Sequence, residues 1–186
     1  MDSIPWKDEL LKVATRLEVK AKQRRWTERS SFLVERDIMV SAYAIRKLIE
    51  GHKVADATKA LQFPVTRFKL KGPRVPDLMD RFEYWEHYDL ERGERQTLSI
   101  TALCNQRIHS WMWAISADEQ TNLFDGVFVS SDRERRKSIY FIAISDLVEL
   151  FRVIGNEYIY YKAIGRNTDG STFTEILGRP YVEAVD

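Results

Sequence analysis

The sequence predicts an α+β fold, a helical N-terminal part packed with a small antiparallel sheet, and three observations carry that assignment. Apolar residues recur at helical spacing over the first fifty positions. From Trp111 to Leu177, short runs of aromatic and β-branched residues replace that pattern. Turn residues rather than linkers separate the runs, so the 186 residues read as a single domain over 1–186. Its helical part covers about 5–110 and its β-rich part about 111–178, with a short tail at 179–186.

Residues 6 to 25 predict the first helix. Leu10, Val13, Ala14, Leu17 and Ala21 share one face, Lys12, Arg16, Lys20 and Arg24 line another, and Ser3 with Pro5 supplies a start. The second helix, about Ser30 to Gly51, buries Val34, Ile38, Ala42, Ile45, Leu48 and Ile49, and the short polar joint predicts an antiparallel pair. A shorter helix is expected from Val54 to Leu61. Strict alternation over Thr66–Lys71 predicts a strand that Gly72-Pro73 ends. Pro76 opens a predicted helix to about Arg92, and another is expected from about Glu94 to His109. Trp111–Ile115, Gly126–Val129 and Ser138–Ile144 predict strands, the last two joined by a charged hairpin tip. Ser145 is expected to cap a helix over Asp146–Ile154, and Glu157–Ile164 with Thr172–Leu177 a closing hairpin around Asn167-Thr168-Asp169-Gly170.

The chain holds 29 basic and 28 acidic side chains, a formal charge of +1. That balance hides a split: residues 1–74 carry +8 and residues 75–186 carry −7. A dipolar chain of this kind is expected to meet a protein partner or a second copy of itself, with nucleic acid as a further class of partner and no membrane. The lone Cys104 excludes an internal disulfide, and the charged N-terminus and short apolar runs point to the cytoplasm. There is no Gly-rich phosphate loop, paired-cysteine zinc site, His-Glu-x-x-His or nucleophile elbow, and no cofactor is expected.

Three constellations could carry chemistry. Asn105 and His109 stand one helical turn apart, so the imidazole could act as general acid or base with Asn105 orienting it. The plainer reading, preferred here, is that His109 caps the helix C-terminus. Glu83, His87 and Glu91 at four-residue spacing could hold a transition metal, but the solvated face of an acidic helix, with Leu78, Phe82 and Trp85 inward, explains them as well and no metal is assigned. The hairpin tip Arg133, Arg135, Arg136 and Lys137 could meet phosphates, and so could the strand row Arg67, Lys69 and Lys71. Lys20, Lys22, Arg24, Arg25 and Arg29 form a third basic cluster beside Trp26. Trp111 and Trp113 are expected on one strand face, as are Tyr158 and Tyr160; core packing is their commoner use.

Two long helices followed by a helix bearing Asn105-x-x-x-His109 resemble the HEPN superfamily of prokaryotic ribonucleases and RNA-binding modules, over residues 6–110. The family motif places an Arg four to six residues before its His; Cys104 stands where that Arg belongs, whereas Arg46-Lys47-Leu48-Ile49-Glu50-Gly51-His52 has the separation. The resemblance implies a non-catalytic interaction or RNA-associated module of a bacterial defence or toxin–antitoxin-like system. It leaves one alternative, a metal-independent ribonuclease using His109 or His52; the cations of the Arg133–Lys137 tip separately suggest another, a sequence-independent nucleic-acid binder.

Overall fold

The computed structural model describes residues 2–80 and 83–180; Phe82 and residues 181–186 of the tail lie outside the described residues. Helix α1 spans Ile4–Ala21 and buries Leu10, Val13, Ala14 and Leu17 on one stripe. Ser3 makes no side-chain cap; the Asp2 carboxylate accepts from the Ile4 amide at 3.1 Å instead. The helix stops four residues before the expected end. Gln23 folds back, donating to the Arg25 carbonyl and to Ser30 Oγ (2.9 Å), and the turn carries Lys22, Arg24 and Arg25 on the surface. Helix α2, Glu28–Glu50, starts two residues early because the Thr27 hydroxyl accepts from the Ser30 amide at 3.2 Å. It runs antiparallel to α1, with Arg16 reaching Asp37 at 2.8 Å. Burial works to raise the Asp37 pKa, but bonds from Arg16 and Arg36 outweigh it and hold the carboxyl below its ordinary value. The short helix α3 covers Asp56–Lys59.

Strands β1 (Gln62–Lys69), β2 (Glu94–Ser99), β3 (Ser110–Ala117), β4 (Phe124–Ser131) and β5 (Ser138–Ala143) form one antiparallel sheet in the order β2-β1-β5-β4-β3. Helix α6, Ile144–Gly155, follows β5 and packs against α1. It begins one residue before Ser145, with Ala143 at the cap position and no side-chain cap. Strands β6 (Glu157–Arg166) and β7 (Thr172–Pro180) make a separate two-stranded ribbon. The fold is therefore α+β, with the sheet drawing strands from both sides of residue 110. Its helix-facing side sets Phe63, Val65, Val127, Val129, Tyr140 and Ile142 into the main core with α1, α2, α6 and the helix α5 (Ile100–Ile108). The other side carries a smaller cluster of Phe68, Met112, Phe128 and Ile139 closed by Tyr84, Tyr88 and Leu90.

Two expected helices change. Among the described residues of 76–92, only α4, Tyr84–His87, is helical. The Asp80 carboxylate accepts from the Asp77 amide and twice from Arg74, each at 3.0 Å, and Asp77 accepts from the Met79 amide, so local carboxylate turns compete with the helix. Leu78 and Trp85, expected inward, are exposed. The stretch 94–109 divides at Ser99: Glu94–Ser99 pairs with β1 as β2, and the Ser99 hydroxyl accepts from the Ala102 amide at 3.2 Å to start α5. A bulge between Ser110 and Met112 also separates the two tryptophans. Trp113 packs on the main core and Trp111 on the smaller cluster, not on one face.

Candidate nucleic-acid interface

The hairpin tip is a short turn, Asp132–Lys137, with one 3-10 turn at Glu134–Arg136. Ser131 Oγ accepts from the Glu134 amide at 3.2 Å and begins that turn. The tip sorts its charges by direction. Arg133, Arg136 and Lys137 point to solvent, and their side chains have no ion pair or hydrogen bond among the described residues. Arg135 turns inward: its guanidinium lies 4.1 Å from the Trp111 ring centroid, donates to Asp132 at 2.9 Å and bonds the Pro76 carbonyl. These contacts tie it to the body of the fold, unlike its three neighbours. Both acids that could neutralise the tip are engaged, Asp132 by Arg135 and Glu134 by the Ser138 hydroxyl at 2.7 Å. From beneath, the buried Tyr88 hydroxyl donates to the Arg135 carbonyl at 2.7 Å; burial pushes its pKa far above the ordinary value, so it remains a donor at any working pH.

The expected row, Arg67 and Lys69 on β1 and Lys71 just beyond it, meets the same end of the sheet, since the Leu70 amide donates to the Lys137 carbonyl at 2.9 Å. Its cations are already partnered. Arg67 donates to Ser138 Oγ at 2.9 Å, Lys69 pairs with Glu94, and Lys71 donates to the Trp85 carbonyl at 3.0 Å. The row braces the tip more than it extends it.

The C-terminus of α5 arrives beside the tip. The His109 carbonyl accepts from the Asp132 amide at 3.2 Å, and Gln106 Oε1 accepts from the Ser131 amide at 2.9 Å. His109 itself occupies the C-cap position with an exposed ring. One turn back, Asn105 Oδ1 accepts from the Arg46 guanidinium, which also holds Glu50 at 3.0 Å. Arg46 therefore reaches the Asn–His helix across the α2–α5 packing. Cys104, at the position of the family's Arg, is buried, and burial pushes its thiol up to about 12, so it offers no nucleophile. His52 sits after α2 at φ 57°, its Nδ1 buried without a partner, and shares no hydrogen bond with Arg46, Asn105 or His109. The other half of the Arg46–His52 spacing thus stays apart. His87 faces Asp80 at 3.3 Å rather than sharing a helix face with Glu83 and Glu91, and no group of three potential metal ligands occurs among the described residues.

Arg107 was not foreseen. Its guanidinium lies buried 3.9 Å from the Trp113 ring centroid and donates to Ser110 Oγ at 2.8 Å and to the Glu35 carbonyl at 3.2 Å, fixing α5 and β3 on either side of His109. The signal available in sequence was a single arginine near a helix end, shortly before an aromatic strand.

Comparison with family models gives no match, and comparisons with curated proteins and with solved structures give none either.

Proposed function

We propose that this chain is an RNA-associated interaction module without catalysis of its own, of a bacterial defence or toxin–antitoxin-like kind. In this reading it holds RNA phosphates on Arg133, Arg136 and Lys137. One observation carries it: three cations project from one short turn while the two neighbouring acids are held by Arg135 and Ser138. Phosphate contacts of this sort position a backbone without reading its sequence. The absence of catalysis rests on Arg46, whose charge is committed to Asn105 and Glu50 and so is not poised for a developing phosphate charge.

Fluorescence anisotropy with a single-stranded RNA is the test. Replacing Arg133, Arg136 and Lys137 together by Ala should weaken binding about tenfold and reduce the slope of log K against log salt by about 2, the share of three single-strand phosphate contacts. Unchanged affinity, or binding indifferent to salt, would remove the tip from the interface. Arg135→Ala should act differently, lowering the melting temperature through loss of its Trp111, Asp132 and Pro76 contacts.

A second reading, the metal-independent ribonuclease, draws on the approach of Arg46 to Asn105 one turn before His109. RNA cleavage in EDTA that disappears in His109→Ala would replace the first reading with this one.

A further inference from the structure

Strand β1 outruns one of its neighbours. Residues Gln62–Arg67 pair with β2, but β5 meets β1 only from Thr66 to Lys69, because β5 ends at Ala143 and turns into α6. The start of β1 and the first turns of α6 therefore border an open groove of about 200 Å³. Buried Phe63, Ile100 and Leu150 form its apolar floor, and exposed Leu61 and Val153 its rim.

Pro64 keeps a strand out of this groove. Backbone groups two residues apart in a strand point to the same edge, and the Leu70 amide reaches the Lys137 carbonyl just before β5. By that alternation position 64 faces the groove, where proline has no N–H to offer a ladder. The groove is built for side chains.

Its charge is one-sided. Among the described residues, the charged groups lining it are Asp146 and Glu149, three apart on one face of α6, and neither carboxylate has a hydrogen bond or ion pair there. The first turn of a helix ordinarily draws a carboxyl down. Asp146 is instead held above its ordinary value, by burial first and by Glu149 second. The pair lacks a counter-cation. A hard divalent metal takes more oxygen ligands than two carboxylates beside an apolar floor supply. A free organic ligand needs more room, since such sites run to ~300–1,000 Å³. One long side chain, apolar along its stem and cationic at its tip, suits both the floor and the acids. Arginine suits them better than lysine, because its planar guanidinium can bond two carboxylates at once and is more weakly hydrated.

We infer that this groove docks an arginine side chain of a partner protein, with an apolar residue beside it covering Leu61 and Val153. The guanidinium lies between Asp146 and Glu149, and its stem rests on Phe63, Pro64 and Leu150. The inference is independent of RNA binding, because the groove shares no residue with the tip.

The probe is the blocked tripeptide acetyl-Leu-Arg-Leu-amide, titrated into the isotope-labelled full chain and followed by amide shifts. Shifts should centre on residues 61–64 and 146–153, with a dissociation constant on the order of 1 mM for a single anchor. Citrulline in place of the arginine should weaken binding about tenfold, through loss of the charge-assisted hydrogen bonds. Asp146→Asn combined with Glu149→Gln should do the same without lowering the melting temperature, since neither carboxylate is bonded within the protein. Val153→Lys, one turn after Glu149, supplies a cation from within and should abolish binding. Equal binding of the citrulline peptide, shifts centred elsewhere, no shifts at about 20 mM peptide, or full affinity in either variant would each overturn the inference.

Discussion

Glu157→Ala is expected to lower the free energy of unfolding by about 3–5 kcal/mol, the range for breaking one member of a buried charged network. The residue opens β6, and its side chain is 6% exposed. One carboxylate oxygen accepts from the Ala55 amide at 3.0 Å and the other from the Thr58 hydroxyl, so it closes the start of α3. Its backbone carbonyl accepts from the buried Lys7 ammonium of α1 at 2.5 Å, and that ammonium lies 3.9 Å from the carboxylate. Alanine would leave Lys7 buried without its counter-charge and the Ala55 amide without an acceptor. Glu157→Gln keeps an acceptor and should cost less. Urea unfolding of the three proteins measures this; equal midpoints would show that the ribbon root does not depend on the carboxylate. Lys7 adds a pH signature. Burial pushes its pKa down, partly opposed by Glu157, so the unfolded chain holds that proton more tightly than the folded one. Its charge therefore costs stability at neutral pH, and the cost fades as pH rises from the lowered folded value to the unfolded value near 10.5. Relative to Lys7→Met, the wild type should gain stability as pH rises towards 10.5.

Gly126→Ala should be the other large loss, about 2–3 kcal/mol, from overpacking. A β-carbon there would stand 2.5 Å from the Ile142 carbonyl oxygen and equally close to the Phe141 ring. The oxygen belongs to the strand paired with β4, so neither side can yield without disturbing the ladder. Gly165 makes the contrast. A β-carbon at Gly165 would press on the Phe173 ring at least as closely, yet that ring is 43% exposed on the ribbon and can turn away. Gly165→Ala should therefore stay within about 0.5 kcal/mol of wild type. Equal costs at the two positions, measured by urea unfolding, would show that the neighbour's freedom does not decide the penalty.

Periodicity made α1, α2 and α6 legible, because each buries one stripe of a regular pattern. The β4–β5 hairpin and the β6–β7 ribbon were legible for the matching reason: turn residues bracket β-branched and aromatic runs. The acidic stretch 76–92 misled because acids at every third position imitate a helix face, while Asp77 and Asp80 spend their carboxylates on local turns. β2 escaped because Glu94-Arg95-Gln96-Thr97 reads as a surface helix until β1 offers it a ladder. In the candidate site, the Asn105–His109 turn could be seen in advance, since it depends on one helix alone. The bond from Arg46 to Asn105 could not, because it depends on how α2 and α5 pack. Nor could the sorting of the tip, where Trp111 and Pro76 draw Arg135 inward and leave its neighbours outside.

The strand order β2-β1-β5-β4-β3 places at the centre the strand that is last of the five in the chain. Before residues 138–143 leave the ribosome, β1 with β2 and β3 with β4 are two separate ladders that share no edge. β5 joins them, pairing Thr66 with Phe141 on one side and Gly126 with Ala143 on the other. The helix that packs against α1 follows immediately behind it. Sheet and helical layer therefore close in one late event built on long-range contacts, a topology that folds slowly and leaves strand edges open while synthesis proceeds. A nascent chain halted before residue 138 holds the pieces of this protein without its core.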